Sequence, residues 1–192
     1  MRPAATSPVS PLLVVLLVVL LALVAASATG CTATPSPPAS DAAMNTPPPA
    51  IQAWMDRLTV PHTYDPETGF IVAQGVTPLP AVLTDAPRLD VAVARGAAEG
   101  RPVIAFATAD RCAPCQQFKL DALQDARVIA RLSTGDVLPV HIEVDREPEL
   151  ATEYLGGASI PMTYVLRDGV VVRTLRGQRS ADELVAWLDA GA

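Results

Sequence analysis

An α/β domain is predicted for the C-terminal part of this 192-residue chain by two observations. From about residue 87 the hydrophobic pattern runs in the order helix, strand, helix, strand, helix, hairpin, helix. Within that order, the apolar run Val103-Ile104-Ala105-Phe106 leads to Cys112 and Cys115 at the opening of an amphipathic segment. Half the residues are apolar, ample for one compact domain.

Each element has its own signal. Residues 89–99 read as a helix, with Leu89, Val91, Val93 and Ala97 apolar and Gly100 at its end. Residues 102–108 read as a buried strand. Residues 116–132 read as a helix with Phe118, Leu120, Leu123, Val128, Ile129 and Leu132 as core candidates and a break near Gln124-Asp125. A second strand covers 137–144, and a short helix over 149–155 stops at Gly156-Gly157. Strands 162–166 and 170–175 are joined through Asp168-Gly169, a tight-hairpin signal. The last helix opens at Ser180 with Glu183 three residues on, a capping box, and continues through Leu184, Trp187 and Leu188. No internal repeat is visible.

Ahead of this domain the chain divides into three stretches. Residues 1–30 read as a signal peptide: Arg2, an uninterrupted apolar run over 12–26 that is short for a membrane span, then Ser27-Ala28-Thr29-Gly30. Residues 31–50 are rich in Pro, Ser and Thr and read as an extended tether. Residues 51–84 read as an extension packed on the main domain, with a short helix over 51–58, a turn at Asp65-Pro66-Glu67-Thr68-Gly69 and a strand over 70–73. The domain proper occupies 85–192.

The small residues before Cys31 resemble the lipobox of bacterial lipoproteins, in which the cut falls before the cysteine and the lipid is attached to it. Ala28 stands where that family usually has Leu, and the leader has a single charge. An ordinary signal peptide and an uncleaved anchor are the alternatives. All three place the remainder outside the cytoplasm, in a bacterial periplasm or cell envelope, and the first makes it lipid-anchored to a membrane.

Charge excludes some partners. The net charge is −6, and removing residues 1–30 takes away one Arg and no acid. Lys119 is the sole lysine. No basic stripe exists for nucleic acid, and an acidic surface does not bind anionic headgroups through charge.

The Cys112-Ala113-Pro114-Cys115 pair carries the chemistry. At a helix start, unpaired N–H groups and the helix dipole favour a thiolate, the attacking species in disulfide exchange. If Cys31 is lipidated, this pair is what remains of the three cysteines. A plain structural bridge is conceivable in an oxidising compartment. Across two intervening residues, however, it closes too small a loop to restrict the unfolded chain much, so the spacing favours a redox role.

The element order, the strand–Cys112-Ala113-Pro114-Cys115–helix unit, Ser159-Ile160-Pro161 before a strand, the Asp168-Gly169 hairpin and Gly177 before the capped helix together resemble the thioredoxin-like superfamily over residues 85–192. The lead-in Gly100-Arg101-Pro102-Val103 and the stretch from Gln117-Phe118 to Val128 look most like extracytoplasmic members, such as the reducing domain of the bacterial disulfide reductase DsbD. The resemblance implies a central mixed β-sheet flanked by helices and a monomeric thiol–disulfide oxidoreductase, working as a reductase on proteins with disulfides or thiols. It needs no cofactor beyond the redox-active Cys112–Cys115 disulfide and no metal. A reductase outside the cytoplasm would also require a membrane electron donor.

By the same resemblance Cys112 is the nucleophile, Cys115 resolves the mixed disulfide, and Pro161 is cis and faces the pair. The alternative for Pro161 is a trans proline that starts an edge strand. Ile160, Pro161 and Gly177 would form the substrate groove. Arg111 replaces the family's usual Trp; it either favours the thiolate and attracts acidic partners, or pairs with Asp110 or solvent. Phe106 replaces a buried aspartate, and His141 stands where a lysine usually faces it. His141 is therefore either a proton acceptor for Cys115 or a hydrogen-bonded histidine at the core's edge, with Glu143 on the same strand face as a second candidate. His62 has no assigned role. Two other classes compete: metal, notably copper, delivery through the cysteines and a histidine, and a non-catalytic binding module that keeps only the fold.

Overall fold

The computed structural model describes residues 45–157 and 159–191, so the 1–30 signal segment, Cys31 and residues 32–44 of the expected tether lie outside the described residues, and a helix already begins at Pro49, inside the tether's expected bounds. The described chain begins with helix α1 (Pro49–Met55), the hairpin of β1 (His62–Asp65) and β2 (Phe70–Ala73), and the single turn α2 (Ala81–Thr84). Then come α3 (Leu89–Glu99), β3 (Val103–Thr108), α4 (Ala113–Phe118), a π-helical turn (Lys119–Leu123), α5 (Ala126–Leu132), β4 (Leu138–Glu143) and α6 (Pro148–Leu155). Strands β5 (Met162–Arg167) and β6 (Val170–Arg176) and helix α7 (Ala181–Asp189) complete it.

Four strands form one sheet in the order β4-β3-β5-β6, with β3 parallel to β4 and antiparallel to β5, and β5 antiparallel to β6. This is the mixed sheet flanked by helices that the resemblance implies. Strand β3 is buried at all six positions because helices cover both faces. Its alternation sorts the core: Val103, Ala105 and Ala107 pack with α3 and α6, while Ile104 and Phe106 pack with Phe118, Leu123, Val128 and Leu184.

Local chemistry explains the joints. Asp168 (φ 50°) and Gly169 (φ 77°) both take the positive φ that a two-residue hairpin turn demands. The α7 capping box closes both ways, Ser180 Oγ accepting from Glu183 N and Ser180 N donating to Glu183 Oε2.

Two helical readings need correction. In α3 the buried face is Leu89, Ala92, Val93 and Gly96; Val91, two residues from both Leu89 and Val93, falls on the opposite side of the 3.6-residue turn and is exposed, as is Ala97. The segment expected over 116–132 is three pieces. Helix starts at Ala113, passes through the π turn, breaks at Gln124 and restarts where Asp125 accepts from Arg127 N at 2.8 Å. The π turn inserts a residue and changes the buried register. Lys119, Ala122 and Leu123 face inward, and Leu120 is exposed.

The extension forms a strap around the first turns of α4. Gln117 Oε1 accepts from Thr59 N at 2.7 Å and Val60 N at 3.1 Å, and Gln116 Oε1 accepts from Thr77 N at 2.7 Å. Leu58, Val60 and Ile71 bury Ala113 in a small core of their own. The predicted turn closes the hairpin, with Asp65 accepting from Glu67 N and the Thr68 hydroxyl. Strand β1 and helix α2 had no periodic signal long enough to announce them.

Candidate active site

Strand β3 hands the chain through Ala109-Asp110-Arg111 to Cys112, which caps α4: its Sγ accepts from Cys115 N at 3.2 Å. A disulfide joins Cys112 and Cys115, whose Cα atoms are 5.1 Å apart. Pro114 lies in the first helical turn, where its missing N–H breaks no helical bond. Cys112 is half-buried and Cys115 is fully buried. An incoming thiolate or disulfide therefore reaches the first sulfur and not the second.

The Ile160–Pro161 peptide bond is cis. Ile160 and Cys112 line the same groove, so the loop before β5 stands beside the sulfur. Gly177 N donates to Pro161 O at 2.9 Å and ties the β6–α7 connection to that loop. A Cβ at Gly177 would meet open space, so its φ of 85° is what calls for glycine. Met162 packs into the core.

Arg111 is exposed and also lines the groove, while its carbonyl accepts from Ala73 N at 2.8 Å. Asp110 is engaged elsewhere, by Arg146 and by Lys119 Nζ at 3.7 Å. The Arg111 guanidinium adds slightly to the lowering of the Asp65 carboxyl across the groove, which the Thr68 hydroxyl dominates.

Beneath the cysteine loop lies a cluster of buried polar groups. Glu143 Oε1 accepts from Asp110 N at 2.8 Å, while Glu143 Oε2 is 3.9 Å from Lys119 Nζ and has no hydrogen-bond donor among the described residues. Burial pushes the Glu143 carboxyl up to about 7 and lowers the Lys119 ammonium, the neighbouring carboxylates opposing the latter shift. His141, opposite Phe106 across β3 and β4, shares a 2.7 Å hydrogen bond with Thr108 Oγ1. Burial, helped by the Lys119 charge, lowers it to about 4, so it is neutral at neutral pH. Lys119 is the site-adjacent residue that pattern reading missed. Its one signal was being the only lysine in the chain.

Opposed pH dependences follow. As pH rises from 4.5 towards 7, the unfolded chain ionises Glu143 while the fold keeps it protonated, so its contribution to stability falls. As pH falls from 6.5 towards 4, the unfolded chain protonates His141 while the fold keeps it neutral, so stability falls in that direction. The windows overlap and mask one another. Glu143→Gln removes one of them: relative to the parent, the variant should gain stability as pH rises from about 4.5 to 7. Urea unfolding at pH values across that range measures this, and a pH-independent difference contradicts it.

Among the described residues no three His, Cys, Asp or Glu side chains are grouped to hold a metal, and no helix is long and apolar enough to cross a membrane. Comparison with curated proteins returns no match. A family model described as a thioredoxin-like domain matches residues 89–192. Among solved structures, the chain is similar to a thioredoxin from Thermus thermophilus, with 27% identity over 54% of this chain and 82% of that one and a TM-score of 0.46. It is also similar to a disulfide isomerase from Xylella fastidiosa Temecula1, with 23% identity over 53% and 86% and a TM-score of 0.43. A poplar thioredoxin h mutant shares 22% identity over 69% and 90%, with a TM-score of 0.44.

The matched segment takes in the whole of the four-stranded sheet and the disulfide at the tip of α4. That combination supports thiol–disulfide oxidoreductase chemistry in general. From the extent of the family match, the chain belongs to the thioredoxin-like domains.

Proposed function

We propose that the protein is a disulfide reductase that acts on protein substrates outside the cytoplasm, lipid-anchored through Cys31 and supplied with electrons by a membrane donor. The observation that carries the chemistry is the asymmetry of the pair: a reachable Cys112 sulfur beside the cis-Pro161 loop, and a Cys115 sulfur shut inside. Reduced Cys112 attacks one sulfur of a substrate disulfide as a thiolate. A mixed disulfide forms and the first substrate sulfur leaves as a thiolate that takes up a proton. Deprotonated Cys115 then attacks Cys112 Sγ. The Cys112–Cys115 bond forms and the second substrate sulfur departs, so the substrate has gained two electrons and two protons. The donor restores the dithiol.

Cys115 must lose its proton for the second step. Glu143, tied to the cysteine loop through Asp110 N, is better matched to that task than His141, because a carboxyl held at about 7 exchanges protons near neutral pH. An imidazole held at about 4 and hydrogen-bonded to Thr108 is a poor acceptor there. The groove beside Cys112, with Ile160 and Arg111 on its lip, is the natural docking site for the substrate segment.

The reductase direction is tested by the potential of the Cys112–Cys115 couple, equilibrated against glutathione, together with an insulin-reduction assay. A couple near the thioredoxin value of about −270 mV and turnover of insulin support it. A couple near about −120 mV, the range of a strong oxidant, overturns the direction while leaving the exchange chemistry intact.

A further inference from the structure

The strap does more than brace α4. Strand β2 runs alongside the cysteine loop, with Val72 bridged to Cys112 and Ala73 N bonded to Arg111 O. This brings β2 and α1 up to the reactive sulfur and creates a groove of about 390 Å³ with Cys112 in its lining. One wall is the strap, with Ile51, Trp54 and Phe70; the other includes Pro114 and Ile160 from the thioredoxin-like domain. Phe70 is 70% exposed and Trp54 is 36% exposed, although each is large and apolar. Neither has a packing reason to be aromatic, since neither belongs to the core.

We propose that the strap is a specificity element for the reaction assigned above: it selects client segments that carry a large apolar side chain next to the reacting cysteine. The inference rests on that reading, because the redox disulfide decides what occupies the groove. A cysteine that reaches Cys112 Sγ enters the groove that Phe70, Trp54 and Ile160 also line. The groove is roomy enough for one large side chain together with a stretch of extended backbone. Its charges, Arg111, Asp65 and Asp145, are of mixed sign and give an apolar flank no charged competitor of one kind. The occupant is thus an extended polypeptide with an apolar flank, not a small disulfide.

The test uses the reduced full chain and three oxidants: hydroxyethyl disulfide, a symmetrical blocked peptide disulfide with Phe beside Cys, and its counterpart with Ser in place of Phe. The parent should reduce the Phe peptide about tenfold faster, in kcat/KM, than the Ser peptide. In the double variant Trp54→Ser, Phe70→Ser that ratio should fall to near one. The two peptide rates are compared within each protein, and hydroxyethyl disulfide reports whether the Cys112–Cys115 pair of that protein still reacts. Equal rates for the two peptides in the parent, or an undiminished ratio in the variant, overturn the proposal while hydroxyethyl disulfide is still reduced. Failure of the parent to reduce any of the three overturns the oxidoreductase reading and the specificity proposal together.

Discussion

Cys112→Ser should lower disulfide reduction by about 10³-fold or more, to the uncatalysed rate, without unfolding the protein. Access to the sulfur decides this loss. Cys115 is fully buried, so among the described residues no second sulfur can take over the attack. A serine oxygen at the α4 cap still accepts from Cys115 N, as Cys112 Sγ does, so the helix start survives. Cys115→Ser has a different signature. The first step proceeds and the second cannot, so a single stoichiometric reaction replaces turnover. Insulin reduction followed by turbidity distinguishes the two. Residual turnover in Cys112→Ser above about one per cent of the parent would show that another group attacks.

Gln117→Met should cost about 1–3 kcal/mol in urea unfolding and loosen the strap. The methionine fills the same volume, so the loss isolates hydrogen bonding. Gln117 is buried, and its Oε1 takes both Thr59 N and Val60 N while Nε2 reaches Asp121 Oδ1 at 2.8 Å. The buried Val60 N–H loses its acceptor at about 1–3 kcal/mol, and the Thr59 N–H, at an exposed residue, adds less because water can replace the amide. Because the strap bonds to the cysteine loop, limited proteolysis should cut the β1–β2 hairpin faster in the variant. A loss below about 1 kcal/mol with unchanged proteolysis would mean that the small core of Leu58, Val60 and Ile71 holds the strap by itself.

Much of the thioredoxin-like domain was legible because its signals are local and periodic. Strand β3 is an apolar run, the Asp168-Gly169 turn and the Ser180–Glu183 cap are encoded within four residues, and the cysteine spacing marks the start of α4. The break at Gln124-Asp125 was legible for the same reason. The strap was legible only in part: strand β2 over 70–73 and the turn at 65–69 were read, whereas β1 has four residues, too few to set a period. The strap's anchors are buried amides of Gln116 and Gln117, residue types that composition counts as surface. Two consecutive buried glutamines after the second cysteine were the available trace, and they mean nothing until residues 58–77 are laid against them.

The polar cluster shows a subtler limit. Period-two alternation placed His141 and Glu143 on one strand face, and the structure has them there. It did not reveal that a π turn would swing Lys119 inward between Asp110 and Glu143. Nor did it reveal that burial moves the histidine down and the carboxyl up. Those shifts depend on desolvation, a property of the folded surroundings.

The account rests on Cys112 being the sulfur that meets the substrate. The most direct measurement mixes reduced Cys115→Ser protein with a peptide disulfide, quenches with acid and maps the adduct by mass spectrometry. The account predicts one peptide per chain, joined through Cys112. An adduct at another sulfur, or none while the parent still reduces the peptide, would contradict it.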